Sequence, residues 1–260
     1  MRSLSIRNFK EMDVDFAYDL NLKEGWNNKR DDVKRMFSFD PGGCFIAEVD
    51  GDPVGHVFTI NYDGLGWIGF LIIKTDSRKK GVGTLLMKQA MNHLQSREVK
   101  TVRLEAVPQI ADLYRSLGFI DEYDSLRLIA DGKKGESSLG THVKVMKKQE
   151  IIQISEFDAT YFGVDRRRVL QKLHQTNPRG CFISTKGSRI IGYIMSRKRE
   201  SGYVIGPWVC CPDNTQVGGE LLAACLKEIG EYQKVYVGVP AVNEAAVDIL
   251  GNSGFKVYSR

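Results

Sequence analysis

Residues 77–86 read Ser-Arg-Lys-Lys-Gly-Val-Gly-Thr-Leu-Leu. This stretch follows the apolar run at residues 67–73, whose length predicts a strand, and it leads into residues 81–95, where apolar side chains recur at helical spacing. Gly81 and Gly83 allow backbone N–H groups to turn towards one concavity, and the start of a helix adds partial positive charge. This junction therefore predicts a cradle for a phosphate or pyrophosphate group.

Two widespread phosphate-binding motifs do not fit this cradle. A P-loop needs Gly-Lys followed by Ser or Thr, and no such motif is present. A dinucleotide-binding fingerprint needs a third glycine, but Leu86 stands at that position. A lone Gly-x-Gly at such a junction is also compatible with a simple tight turn, so the residues around it have to identify the ligand.

Those surrounding residues resemble the GNAT superfamily of N-acetyltransferases. Arg78, Gly81 and Gly83 match its acyl-CoA signature, Arg/Gln-x-x-Gly-x-Gly/Ala, position by position. Residues 111–119, Ala-Asp-Leu-Tyr-Arg-Ser-Leu-Gly-Phe, resemble the closing element of the same fold. The resemblance implies that acetyl-CoA is the cosubstrate and that an acetyl group passes to a primary amine of a small molecule or a protein.

The resemblance also implies roles for individual residues. The end of the apolar strand would pair with the pantetheine arm, and the cradle would hold the pyrophosphate. The expected cofactor-binding residues are Leu71, Ile72, Ile73, Arg78, Lys79, Lys80, Gly81, Val82, Gly83 and Thr84. Tyr114 matches the position of the general acid that protonates the departing thiolate, and the alternative is a half-buried tyrosine with a packing role.

The sequence does not identify the general base. Many GNAT enzymes carry a glutamate on the cofactor strand, but residues 67–73 contain no carboxylate. Glu105, expected on a strand at residues 102–107, and Glu24 are the catalytic candidates, and each is also compatible with a surface acid. Trp26 and Asn27 are expected to bind the acceptor, although Trp26 fits a core position equally well.

The chain also repeats itself. Pro41 pairs with Pro178 and Gly81 with Gly218, each 137 positions apart. The fold class is therefore α/β, with two tandem GNAT-like domains, each a mixed, mostly antiparallel twisted sheet flanked by helices. The expected organisation is an N-terminal acetyl-CoA binding domain at residues 1–132, a linker at 133–140, and a divergent C-terminal domain at 141–260.

The second copy has lost the residues on which the site depends. Its counterparts of Arg78, Gly83 and Tyr114 are Thr215, Glu220 and Leu250. A carboxylate in the cradle repels a pyrophosphate, and a leucine cannot donate a proton. The C-terminal domain is therefore expected to be non-catalytic and to help wall an acceptor cleft.

The amino-acid composition narrows the classes of protein to which the chain could belong. The chain is 42% hydrophobic and 27% charged, as globular proteins are, and its net charge of +5 lies in short clusters without interleaved aromatic residues. We expect no nucleic-acid partner and, since no apolar run spans a bilayer, no membrane partner. Five cysteines without a C-x-x-C pair predict neither a metal site nor a disulfide framework, and favour a cytoplasmic location.

Two questions stay open at this stage. A non-catalytic acyl-CoA binding or sensing protein is the alternative to an enzyme, since it would keep the cradle and not use Tyr114. A homodimer is possible, but the sequence does not specify an oligomeric state.

Overall fold

The computed structural model describes residues 3–132 and 142–260. The chain divides into two compact units, Met1–Leu117 and Gly118–Arg260. Both are α/β, which confirms the predicted fold class. Within the described ranges, no helix combines the length and the apolar character that crossing a membrane requires.

In the part that the structure describes, residues 3–117, the first unit contains five strands and four α-helices. In chain order they are β1 (Leu4–Asn8), α1 (Val14–Lys23), α2 (Arg30–Phe37), β2 (Phe45–Val49), β3 (Asp52–Asn61), β4 (Leu65–Ile73), α3 (Val82–Ser96), β5 (Thr101–Leu104) and α4 (Ala111–Ser116). The sheet has the order β1-β2-β3-β4-β5. Neighbouring strands are antiparallel, except that β4 and β5 are parallel.

Helices cover both faces of this sheet. On one face, α1 and α2 pack through Val14, Ala17 and Val33 into a core that includes Phe58 of β3. On the other face lies α3, whose buried side chains contact β2, β3 and β4. Successive residues of β3 therefore pack on opposite faces of the sheet, because side chains alternate along a strand. The cradle at the start of α3 is fixed to the sheet by this packing.

The second unit contains seven strands and four α-helices within residues 118–132 and 142–260. They are β6 (Ser125–Asp131), β7 (Val143–Val145), α5 (Ile151–Phe162), α6 (Arg167–Thr176), β8 (Cys181–Lys186), β9 (Arg189–Lys198), β10 (Tyr203–Cys210), α7 (Thr215–Ile229), β11 (Lys234–Pro240), α8 (Glu244–Asn252) and β12 (Lys256–Ser259). The sheet order is β12-β6-β11-β10-β9-β8-β7. From β7 to β11 it repeats the order of β1 to β5, including one parallel pair, β10 with β11.

Strand β6 belongs to the first sequence repeat but lies in the second sheet. It pairs in continuous antiparallel register with β11 along its whole length, and β12 pairs with its other edge. Its alternate residues Leu126, Leu128 and Ala130 are buried in the core of the second unit. The spatial division therefore falls after Leu117, whereas the repeat predicts a boundary after residue 132. The domain boundaries derived from the repeat stay a prediction, and the predicted linker at 133–140 lies outside the described residues.

Truncation of a β6 side chain is expected to destabilise the second unit. Leu128 is 2% exposed, so Leu128→Ala removes buried methyl groups and should lower the free energy of unfolding by about 2–5 kcal/mol. Urea denaturation followed by circular dichroism measures this loss. Val257→Ala on β12, where the side chain is 46% exposed, is the control and should change stability by about 0.5 kcal/mol or less. Equal, small losses in both variants would show that β6 does not belong to this core.

Candidate active site

Strand β4 carries a bulge. The antiparallel register of β3 and β4 shifts between the pair His56 and Ile72 and the pair Phe58 and Gly69. Two residues of β4 therefore face one residue of β3, and such a bulge bends the strand and re-aims its backbone groups. The first of the two, Phe70, has a φ of 53°, in the left-handed region that an aromatic residue rarely adopts.

Beyond the bulge, β4 separates from β5. The parallel pairing runs from Leu65 with Thr101 to Ile68 with Leu104, where β5 ends. Strand β4 continues to Ile73, so the predicted pantetheine-binding residues lie on a stretch whose β5-side edge has no strand partner among the described residues. An open strand edge is able to pair with an extended ligand through backbone groups.

The prediction of a strand over residues 102–107 is wrong at its end. Strand β5 stops at Leu104, and Pro108 begins a short 3-10 turn. Strand β4 bends away directly after its last pair with β5, and Pro108 has no N–H group to donate, so the apolar residues of this run do not extend the sheet. Glu105 is consequently an exposed residue just past the end of β5 and not a strand residue.

The cradle has the backbone shape that the sequence predicts. Lys79 has a φ of 58° and Gly81 a φ of 80°, and Gly81 is the N-terminal cap of α3. The first hydrogen bond of the helix joins the Leu85 N–H to the Gly81 carbonyl at 3.1 Å. The N–H groups of residues 82–84 precede this bond and have no acceptor within the helix. Three donors and the positive end of the helix dipole thus face one place, which suits an anion.

The fold by itself does not explain the glycine at position 83. A Cβ on Gly83 would meet its nearest neighbour, Cδ2 of Leu113, at 3.7 Å, which is ordinary van der Waals contact. Its φ also lies outside the left-handed region, so a side chain causes no backbone strain. A close approach by something outside the chain is the remaining physical reason for a residue without a side chain.

The structure brings two predicted site residues together. The Arg78 guanidinium forms an ion pair with the Glu24 carboxylate, and its Nε donates to the Ile73 carbonyl at 2.9 Å. Glu24 follows α1, so this contact ties the loop between α1 and α2 to the cradle. Lys80 Nζ donates to the Asp76 carbonyl at 2.6 Å, which holds a second positive charge at the same turn.

The predicted acceptor residues lie beside the bulge. Trp26 packs edge-to-face on Phe70, with ring centroids 5.7 Å apart, and Phe70 stacks on Phe58 at 5.5 Å. Trp26 and its neighbour Asn27 are half-buried, so both are only partly accessible from outside. The contact between Trp26 and Phe70 connects the loop between α1 and α2 to the bend in the strand.

Tyr114 is buried in α4, with 7% of its surface exposed. Burial raises the pKa of its phenol to about 12. The hydroxyl therefore keeps its proton at neutral pH and is able to donate it, as a general acid must.

A buried histidine lies against the bulge. His56 is fully buried on β3, and neither ring nitrogen forms a hydrogen bond of ordinary distance and angle with a described residue. Burial lowers the pKa of His56 from 6.5 to about 4, and backbone groups of Phe70 and Ala17 raise it only in part. The imidazole is neutral at neutral pH.

The corresponding place in the second unit is closed. Helix α7 begins at Thr215, the counterpart of Arg78, so one more helical turn occupies the sequence that forms the cradle in the first unit. The Trp208 ring lies 3.4 Å from the position that a Cβ on Gly218 would take. Leu250, the counterpart of Tyr114, is fully buried in the core. The second unit thus has no equivalent of the cradle.

Sequence reasoning missed the bulge at Phe70. A signal was available, since Ile68-Gly69 recurs as Ile205-Gly206 in the second copy, and a glycine inside a strand often marks a bulge. Over residues 3–132 and 142–260, no group of three or more His, Cys, Asp or Glu side chains is placed to hold a metal ion.

Family models match both halves of the chain. The acetyltransferase (GNAT) family model matches residues 9–119, and a second acetyltransferase (GNAT) domain model matches residues 154–260. Together they cover more than half of the chain. The chain therefore belongs to the GNAT acetyltransferase family, as a tandem-domain member, and is an acyltransferase.

Several known proteins are similar to it. Holothin acyltransferase from Pseudoalteromonas sp. (strain SANK 73390) is 25% identical over 90% of this chain and 78% of its own length. Mycothiol acetyltransferase from Streptomyces coelicolor is 34% identical over 35% of this chain and 31% of its own length.

Solved structures share the fold. A putative acetyltransferase from Pyrococcus horikoshii superposes with a TM-score of 0.82 at 22% identity, over 98% of this chain and 86% of its own. A tandem GNAT protein from the clavulanic acid biosynthesis pathway gives a TM-score of 0.66 at 13% identity, over 99% of this chain and 96% of its own. At these identities the likeness concerns the fold alone.

The buried imidazole predicts a pH-dependent stability. The unfolded chain binds a proton near pH 6.5 and the folded chain near pH 4, so between these values the unfolded state holds more protons and stability falls as the pH falls. The shift corresponds to a loss of about 2 kcal/mol between pH 7 and pH 5. Urea denaturation at both pH values measures it, and His56→Leu should lack this part of the loss. The same pH dependence in both proteins would show that His56 is not the cause.

Proposed function

We propose that this protein transfers an acetyl group from acetyl-CoA to a primary amine of a small molecule or a protein, in the first unit only. The observation that carries this proposal is the cradle of free N–H groups at the start of α3, placed at the end of a strand whose edge is open. The names of the relatives, an acyltransferase and an acetyltransferase, support the same type of reaction.

The residues of the cradle fit the pyrophosphate of acetyl-CoA. The N–H groups of Val82, Gly83 and Thr84 would donate to its oxygens, and the missing side chain of Gly83 would permit a close approach. Lys79 and Lys80, beside Arg78, add positive charge at the same turn. When bound, the cofactor would supply the acetyl group, activated as a thioester whose C–S bond breaks when the amine attacks.

The open edge of β4 fits the extended arm of the cofactor. Backbone groups of Leu71, Ile72 and Ile73 would pair with it, as a strand pairs with an added strand. Because the arm would run from the cradle towards the bulge, its acetyl end would lie near Phe70. A backbone N–H at the bulge would then stabilise the negative charge that develops on the acetyl oxygen.

The acceptor amine must lose a proton before or during the transfer. A lysine-like amine with a pKa near 10.4 is neutral in only about one molecule in 10³ at pH 7. Glu24 is held in an ion pair with Arg78, and we assign it the task of orienting that guanidinium. Glu105 lies where β5 leaves β4 and is exposed, so we propose it as the proton acceptor, directly or through water.

The acceptor would reach the acetyl group from the side of Trp26. Trp26 and Phe70 offer an aromatic wall next to the bulge, and Asn27 offers an amide that is able to donate and accept hydrogen bonds. We propose that these residues orient the amine for attack. For the whole protein we propose a reducing, cytoplasmic location, since all five cysteines are free.

Replacement of Tyr114 tests this proposal. With acetyl-CoA and a panel of primary amines, the wild-type protein should release free CoA thiol, which a colorimetric thiol reagent measures. Tyr114→Phe removes the proton donor and little else, so kcat should fall about 10²-fold while acetyl-CoA binding stays within twofold. Tyr123→Phe, at a 47% exposed tyrosine, is the control and should keep the wild-type kcat.

Two other results would contradict the proposal. Acetyl-CoA binding without thiol release for any amine would indicate a binding or sensing protein. Thiol release that Tyr114→Phe leaves unchanged would show that another group protonates the thiolate.

A further inference from the structure

We propose that Glu24 is a positioning residue, which ties the loop at residues 24–29 to the open edge of β4 through its ion pair with Arg78. Bound acetyl-CoA would enclose this ion pair and thereby fix the loop in the position that receives the amine. The inference rests on the proposed function, since it takes that loop as the acceptor side of the site. It assigns Glu24 neither a proton transfer nor a contact with a substrate.

The Arg78 side chain lies at the end of the open edge of β4. The Lys74 N–H donates to the Val54 carbonyl of β3 at 2.7 Å. The Ile73 carbonyl belongs to the same planar trans peptide and therefore points away from β3, to the side on which β5 has ended. Arg78 Nε donates to that carbonyl at 2.9 Å. The guanidinium thus lies on the edge along which the arm of the cofactor would run.

The loop at residues 24–29 is held to α1 at both of its ends. The N–H groups of Glu24 and Trp26 donate to carbonyl oxygens in the last turn of α1, at 3.1 and 2.8 Å. The Asn28 side chain is buried and donates to Asn21 Oδ1 at 2.7 Å. Trp26, which packs on Phe70, lies between these attachments. A restraint at Glu24 is therefore passed to the aromatic wall two residues further on.

The ion pair is better suited to positioning than to stability. The Arg78 side chain is 41% exposed and that of Glu24 is 28% exposed, and ion pairs exposed to this degree contribute little to folding. An extended ligand on the same edge would remove water from one side of the pair and strengthen its Coulomb attraction. The tie between loop and strand is therefore expected to be weak without the cofactor and stronger with it.

The second unit lacks this connection. Tyr161 stands at the position of Glu24, 137 residues further along, and its hydroxyl donates to Cys211 Sγ at 3.4 Å. Thr215, the counterpart of Arg78, is uncharged and is the first residue of α7. An ion pair between these two positions is thus found in the unit that has a cradle and not in the other.

The second unit fixes its own loop in a different way. Arg166, which ends the loop between α5 and α6, forms an ion pair at 2.6 Å with the fully buried Asp158 of α5. Its guanidinium also lies over the Phe162 ring, 3.9 Å from the centroid. This loop is therefore held from within its own helix pair, whereas the loop of the first unit is tied to the cofactor edge.

Glu24→Gln tests the inference because it removes the charge and keeps the shape. With saturating acetyl-CoA and the amine that gives the fastest thiol release, the KM for the amine should rise about tenfold while kcat stays within about threefold. The Kd of acetyl-CoA, measured without amine, should also stay within about threefold. Asp15→Asn is the matched control, since it removes an exposed ion pair with Arg30 at the opposite end of α1, and it should leave all three constants unchanged.

The same variant separates positioning from proton transfer. If Glu24 accepted the proton of the amine, Glu24→Gln would lower kcat about 10²-fold or more and would remove the acid limb of its pH profile. The KM for the amine would then change little. That outcome would overturn the inference, which predicts an unchanged pH profile of kcat.

A double-mutant cycle tests whether Glu24 acts through Arg78. Arg78→Gln should raise the KM for the amine by a factor similar to that of Glu24→Gln. The double variant should show no more than the larger single effect, because the second change removes a partner that has already lost its counterpart. Effects that multiply to about a hundredfold would show two independent residues and contradict the inference.

A further measurement needs no acceptor. The chain contains three tryptophans, so labelling with 15N-tryptophan reports on the Trp26 indole directly, and Trp26→Phe assigns its signal. Acetyl-CoA should slow the exchange of this indole N–H with water about fivefold or more in the wild-type protein and leave it unchanged in Glu24→Gln. The indole of Trp208, in the second unit, should respond in neither protein.

The outcomes distinguish this inference from the proposed function. Acetyl-CoA binding to which the Trp26 indole responds equally in both proteins, or in neither, would overturn the inference and leave the proposed function standing. Failure of acetyl-CoA to bind the wild-type protein would overturn both.

Discussion

The bulge in β4 is the constraint on which the site depends. One extra residue in this strand bends it where β5 ends, and the bend separates two parallel strands that would otherwise share a full set of hydrogen bonds. The separation leaves a strand edge open inside an otherwise covered sheet. The left-handed conformation of Phe70 is energetically unfavourable for an aromatic side chain, so the surrounding packing has to hold it. The rings of Trp26 and Phe58 both pack on the Phe70 ring and contribute to this packing.

The two halves share one fold but differ at the start of the helix that follows the fourth strand. The strand order persists, as does the position of the parallel pair. Differences are concentrated at the helix start and its neighbours: α7 begins one turn earlier than α3, Glu220 replaces Gly83, and Trp208 packs where the first unit is open. The order of the five shared strands is thus common to both units, whereas the segment before the helix differs between them.

Much of the fold is predictable because its signals are local. The helical spacing in residues 81–95, the glycines of the cradle and the duplicated Pro and Gly positions all lie within short segments, and the corresponding elements are present in the structure. The position of β6 in the second sheet cannot be predicted from such local signals. It depends on register with β11, a strand more than 100 residues further along the chain, and one sequence taken alone carries no record of such a pairing.

The contiguous part of the candidate site is likewise predictable from the sequence, and its long-range contacts are not. The cradle could be identified because a helix start and its glycines form a contiguous motif. The ion pair between Arg78 and Glu24 is not visible in the sequence, because it joins residues 54 positions apart. The end of β5 at Leu104 is not visible either, because it depends on where the neighbouring strand β4 bends away. The prediction that Glu105 lies on a strand is wrong for this reason. Residues 102–107 have the sequence pattern of a strand, but beyond Leu104 strand β4 no longer pairs with them.

We propose that acetyl-CoA binds at the cradle of the first unit and not in the second. Calorimetric titration of acetyl-CoA into the wild-type protein, Gly83→Glu and Gly219→Glu distinguishes the two places. Gly83 lies in the first turn of α3 and Gly219 in the second turn of α7, and a Cβ fits at both positions without a clash. The account predicts one site per chain, lost in Gly83→Glu and kept in Gly219→Glu. Binding that survives Gly83→Glu and disappears in Gly219→Glu would place the cofactor in the second unit and contradict it.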